Sequence, residues 1–102
     1  MDSCWADIDA ELNSFAESNG LHVYARYRDS EVRSIEIVDD QAYSYQLWLE
    51  PTHVGWRVCV WDRASRRSEH LATSQDLRRG LDAAYRDVLD WICEQGHTRT
   101  SA

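Results

Sequence analysis

Residues 32–50 read VRSIEIVDDQAYSYQLWLE, and the period of that stretch decides the fold. Over Val32 to Val38, Ile35 and Ile37 fall on one face while Ser34 and Glu36 fall on the other. Asp39, Asp40 and Gln41 then break the pattern, after which Tyr43, Tyr45, Leu47 and Leu49 alternate with Ser44, Gln46 and Trp48. A period of two belongs to a strand with one buried face, and a polar break this short is a turn, so the two strands are antiparallel neighbours.

The same period extends in both directions. Leu21, Val23, Ala25 and Tyr27 alternate with His22, Tyr24, Arg26 and Arg28, which predicts a strand ahead of the turn at Asp29 and Ser30. Beyond the loop from Pro51 to Gly55, Trp56, Val58 and Val60 alternate with Arg57, Cys59 and Trp61 in a further strand. A hairpin connection over Asp62 to Arg67 leads to a short last strand, Ser68 to Leu71.

Helical spacing flanks the strands. Trp5, Ile8, Leu12 and Phe15 share one stripe of a helix predicted over residues 4–18, with Asp2 or Ser3 as its cap and Asn19–Gly20 as its stop. Thr73, three residues before Asp76, reads as a variant capping box for a second helix over 74–94, whose stripe is Leu77, Leu81, Ala84, Tyr85, Val88, Leu89 and Ile92. Gly80 inside that helix suggests a close approach to the sheet, and Gly96 ends it. The expected fold class is therefore α+β: a two-layer sandwich with an N-terminal helix, an antiparallel meander of four or five strands and a long C-terminal helix, both helices on one face. Residues 1–96 form one domain in this reading, and 97–102 a frayed polar tail.

The 102 residues carry 18 acids against 11 bases, a formal charge of −7. All the bases are arginine, which excludes lysine chemistry such as a Schiff base or a P-loop, and fits a GC-rich bacterial genome. No apolar run is long enough for a membrane span and the first residues are acidic, so a cytoplasmic protein with no membrane partner is expected. Cys4, Cys59 and Cys93 are odd in number and far apart, which points to buried free thiols and to neither disulfides nor zinc. His22, His53, His70 and His97 lie on separate elements, and no nucleophile, dinucleotide or phosphate-loop motif occurs, so no catalytic residue, metal or cofactor is assigned.

Apolar strand residues facing the helices leave His22, Tyr24, Arg26, Trp48, Arg57 and Trp61 on the opposite face, joined there by Arg28, Glu36 and Gln46. Aromatic rings and arginines are the mixture enriched at protein-binding hot spots. Arg63, Arg66 and Arg67 are close enough in sequence to converge on an anion, or else to pair with Asp62 and Glu69. Asp39, Asp40 and the acids of the second helix read as solvated, with Arg78 and Arg86 as partners. The order helix, strands, helix is similar to that of double-stranded RNA-binding domains. Thr73, Ser74, Gln75 and Asp76 stand where such a domain has its basic cluster, so nucleic acid is disfavoured as a partner, as the net charge also argues.

The expectation is a non-catalytic protein-interaction domain whose partner is a basic protein, as for an immunity protein or antitoxin, or else a second copy in a homodimeric accessory protein. A third reading is a small-molecule or enzymatic site between sheet and helices, near Tyr27, Tyr43, Tyr45 and Tyr85.

Overall fold

The structure is a computed structural model, and residues 5–98 are described below. Helix α1 (Ala6–Ser18) leads into strands β1 (Val23–Tyr27), β2 (Ser30–Val38), β3 (Ser44–Pro51), β4 (Trp56–Trp61) and β5 (Arg67–Ala72), and helix α2 (Leu77–Glu94) follows. The strands lie in the order β1-β2-β3-β4-β5 and every neighbouring pair is antiparallel. The meander and its fifth strand are thus present. Both helices cover one face, where Ile8, Leu12 and Phe15 of α1 and Leu77, Leu81, Val88 and Ile92 of α2 meet Ile35, Ile37, Leu47, Val58 and Val60. No helix among the described residues is long and apolar enough to cross a membrane.

Gly80 lies where α2 crosses the sheet. A Cβ there would stand 3.0 Å from the Ala72 Cβ and 3.5 Å from Val58 Cγ2, so the hydrogen side chain sets the helix-to-sheet distance. At the start of α2, the Thr73 N–H and hydroxyl donate to Asp76 Oδ1 at 2.6 and 2.9 Å, and the Asp76 N–H donates to Thr73 Oγ1 at 3.3 Å. The capping pair therefore exists. It curls residues 73–76 into a turn, however, and the helix starts at Leu77 instead of residue 74. The bond from Arg79, followed by those from Thr73, pulls the Asp76 carboxyl down to about 2. The cap expected for α1 at Asp2 or Ser3 lies outside the described residues.

Four further expectations change. Register slips between Tyr24 and Arg26, where Ala25 of β1 faces both Val32 and Arg33 of β2, and on this edge strand Ala25 and Tyr27, expected under the helices, are exposed, Tyr27 at 63%. Tyr43 precedes β3 and is half-exposed instead of core, and its hydroxyl donates to the Asp62 carbonyl. The tail expected from His97 onward is docked for His97 and Thr98, while residues 99–102 lie outside the described ones. Of the thiols, Cys59 is buried, Cys93 is exposed contrary to expectation, and Cys4 falls outside the described residues.

A charged side chain lies in the layer between α1 and the sheet. Arg33 shares the parity of Ile35 and Ile37 and is 7% exposed under α1, where Nε and Nη2 donate to the two carboxylate oxygens of Asp9 at 2.7 and 3.0 Å. Nη1 donates to the Val32 carbonyl, and the guanidinium lies 5.1 Å from the Trp5 ring centroid. The fork pins α1 to β2 and uses almost every donor it has.

Candidate functional site

The face of the sheet away from the helices has no element over it among the described residues, and the strand registers arrange its side chains in three rows. Glu36, Gln46, Trp61 and Arg67 stand side by side in the first, and Tyr24, Ser34, Trp48, Cys59 and Glu69 in the second. Glu50, Arg57 and Leu71 form the third. Trp48 and Arg57 therefore share this face with Trp61 and Tyr24, as the alternation predicts, and the His22 ring stands edge-on to Tyr24 at 4.6 Å. Trp48 and Trp61 are half-buried, Tyr24 is 48% exposed and Leu71 62%.

The two halves of the face differ. Over β3, β4 and β5 the charges close on one another: Glu50 holds Arg57 at 2.9 Å and accepts from Trp48 Nε1 at 2.9 Å, while Glu69 holds Arg57 at 3.6 Å and Arg67 at 3.8 Å. Arg67 also lies 5.2 Å over the Trp48 ring. Each such exposed pair contributes at most about 1 kcal/mol, but together they roof Cys59, whose thiol burial pushes up to about 11. That sulfur is a core atom, not a nucleophile.

Over β1, β2 and β3 the groups are free. Arg26 and Glu36 make no ion pair and Ser34 and Gln46 no side-chain hydrogen bond among the described residues, and these four line a depression of about 200 Å³ with Tyr24 and Tyr27. A larger hollow, about 430 Å³, adjoins it through Tyr27, Ser34 and Gln46 and runs toward Trp5 and Trp48. Open aromatic surface beside unused donors and acceptors is what a recognition surface offers.

The arginine cluster does not converge. Arg63 donates to Ser44 Oγ at 2.8 Å, Arg66 reaches Glu94 of α2 at 2.7 Å, and Arg67 belongs to the open face. Asp62 pairs with none of them: its Oδ1 accepts the N–H groups of Ala64 and Arg66, both at 2.9 Å. Asp39 does the same in the β2–β3 turn, accepting from Gln41 and Tyr43 at 2.9 and 3.0 Å. Two hairpins at one end of the sheet therefore share a bond set, each with a buried aspartate two and four residues before its donors.

Asp39 also anchors the chain end. His97 Nδ1 lies 2.7 Å from its Oδ2, the Tyr45 hydroxyl donates to Oδ2 at 3.3 Å, and Gln95 donates to that hydroxyl at 2.7 Å. Asp40 binds Thr98 through its own N–H and both carboxylate oxygens. The Asp39 and Asp40 oxygens and a His97 nitrogen lie within 4.8 Å of one another, a donor set that suits a metal ion, but these atoms are already committed to protein hydrogen bonds. Burial alone would raise the Asp39 carboxyl; the bonds from His97, Tyr43 and Gln41 outweigh it and hold it below the ordinary aspartate value. Burial, then Asp39, pushes the Tyr45 phenol up to about 12 and keeps it a donor.

His70 on β5 meets Asp87 of α2 at 2.7 Å and Ser68 Oγ at 3.5 Å. Both use Nε2, so the ring cannot relay a proton from one to the other. Asp82 pairs with Arg78 instead of Arg86. Of the tyrosines considered for an internal site, Tyr45 and Tyr85 are packed in the core and Tyr27 stands at the opposite end of the sheet from Tyr43, so the four are not brought together. No family model, curated protein or solved structure matches the chain.

The acid groups give a signed pH dependence. Bonds from Arg33 outweigh burial and lower Asp9, the Trp48 N–H and then Arg57 lower Glu50, and Asp39 is lowered as above. Folded values below the unfolded ones, about 4, stabilise the fold fully above that pH, and the contribution is lost as pH falls through the folded values. The melting temperature is expected to drop below about pH 4, and to drop less steeply in Asp9→Asn. A melting temperature that rises on acidification would contradict the assignment.

Proposed function

We propose that the chain is a small, acidic, non-catalytic protein-interaction domain whose contact surface is the uncovered sheet face. The observation that carries this reading is the placement of Trp48 and Trp61, half-buried in a face with no covering element among the described residues, next to a depression whose Arg26, Ser34, Glu36 and Gln46 make no ion pair or side-chain hydrogen bond among those residues. Tryptophans beside arginines are hot-spot chemistry, and monomers seldom leave them bare. The charge of −7 supports a basic protein as partner, because opposite potentials speed encounter. It is concentrated in α1, which carries Asp7, Asp9, Glu11 and Glu17 and no base, whereas the acids of α2 are largely offset by Arg78, Arg79 and Arg86.

A photo-crosslinking residue at Gln46, activated in a lysate of the source cells, is expected to yield a discrete protein adduct that disappears when Trp48→Ala is added at an unchanged melting temperature. An absent adduct, or one indifferent to Trp48, would overturn the reading. Unfolding of Trp48→Ala would instead make that ring a structural part of the core.

A further inference from the structure

We infer that the occupant of the open face is a second copy of this chain, related by a two-fold axis lying across the strands along the middle row Tyr24–Ser34–Trp48–Cys59–Glu69. The inference rests on the face being a protein contact surface, and it leaves the acidic α1 as the surface offered to a basic partner. The first argument is charge. The molecule carries −7 overall, yet on this face Glu36, Glu50 and Glu69 stand against Arg57 and Arg67, and in the β1–β2 hairpin Arg26 and Arg28 are offset by Asp29 and Glu31, so the face is close to neutral. Copies repel one another through α1 and not through this face.

The second argument is self-complementarity, which a two-fold interface requires. An axis along the middle row brings the first row of one copy against the third row of the other. Trp61 then meets Arg57 of the other copy, Gln46 meets Glu50, and Glu36 comes over the end of the other β1–β2 hairpin. Glu36 makes no ion pair among the described residues, and neither do Arg26, which stands across from Glu31, and Arg28, which precedes Asp29, so that contact brings Glu36 the counter-charge it lacks within the chain. Trp48 lies near the axis. Glu69 meets its own counterpart there, each copy bringing Arg57 and Arg67 as counter-charge.

The third argument is size. Five strands about 4.8 Å apart and about six residues long cover roughly 24 by 20 Å, about 480 Å² in flat projection. Two copies together bury about 1,000 Å² before side-chain relief is added, which is where specific interfaces begin.

Sedimentation velocity on the purified chain from about 1 to 100 µM tests this. The wild type is expected to reach twice 11.9 kDa within that range. Glu36→Arg, and separately Arg26→Glu with Arg28→Glu, should each weaken association at least about tenfold with unchanged circular dichroism. Combining all three should restore it to within about threefold of wild type. A single-chain mass at 100 µM, a dimer indifferent to these substitutions, or no restoration in the combined variant would each overturn the inference. A monomer that still gives a Trp48-dependent adduct with another protein would sink the second copy and keep the contact surface; a monomer without any adduct would sink both.

Discussion

Replacing Asp39 with alanine is expected to lower stability by about 3 kcal/mol or more, a fall of roughly 12 to 24 °C in the melting temperature of a domain this size. Its carboxylate side chain has no exposed surface and serves two turn N–H groups, the Tyr45 hydroxyl and His97 at once. Alanine leaves the turn without its acceptor and takes from the buried Tyr45 hydroxyl the acceptor it has among the described residues. Asp62→Ala removes the matching bonds of the β4–β5 hairpin but orphans no buried hydroxyl, so it should cost about half as much. Thermal melts of the two variants decide the matter: equal losses would mean that the contacts to Tyr45 and His97 add nothing to the turn.

Gly55→Ala should be comparably damaging, at about 3 kcal/mol, for a reason of shape alone. Gly55 has φ +157°, and a Cβ on it would stand 2.4 Å from the Ala72 backbone oxygen, which cannot move without opening the Trp56–Ala72 end of the β4–β5 ladder. Gly96, at φ +75°, offers the control: its Cβ would meet nothing within 4 Å, so the alanine there should cost only about 1 kcal/mol of backbone strain. Chemical denaturation of the two variants separates these costs, and a Gly55 variant no weaker than the Gly96 one would show that the loop yields freely.

Most of the architecture was legible because each strand of the middle of the chain shows one period and one apolar face. Ile35, Ile37, Leu47, Val58 and Val60 leave no second arrangement that buries them all. The misreadings share a cause: side chains whose place is set by a tertiary partner. Arg33 has core parity, and its burial is made tolerable by Asp9, 24 residues away, together with Glu31. His97 and Thr98 look like a polar tail until the β2–β3 turn comes within reach of them. The register slip in β1 leaves no mark in the sequence that distinguishes Ala25 and Tyr27 from a regular edge strand. Parity was enough to put Trp48, Arg57 and Trp61 on one face; which of their neighbours stay unpaired could not be read, because that depends on the cross-strand reach of Glu50 and Glu69. The repeated aspartate turn did have a signal, in Val38-Asp39 and Trp61-Asp62, each at the end of an alternating run.

The meander places every sheet bond between neighbours in sequence, whereas the apolar cover over β3, β4 and β5 comes from α2, residues 77–94. During synthesis, the hairpins can therefore close one after another while Ile37, Leu47 and Val58 still face water. A nascent chain stays sticky until α2 has been added, and it is in that interval that chaperones or misassociation would find it.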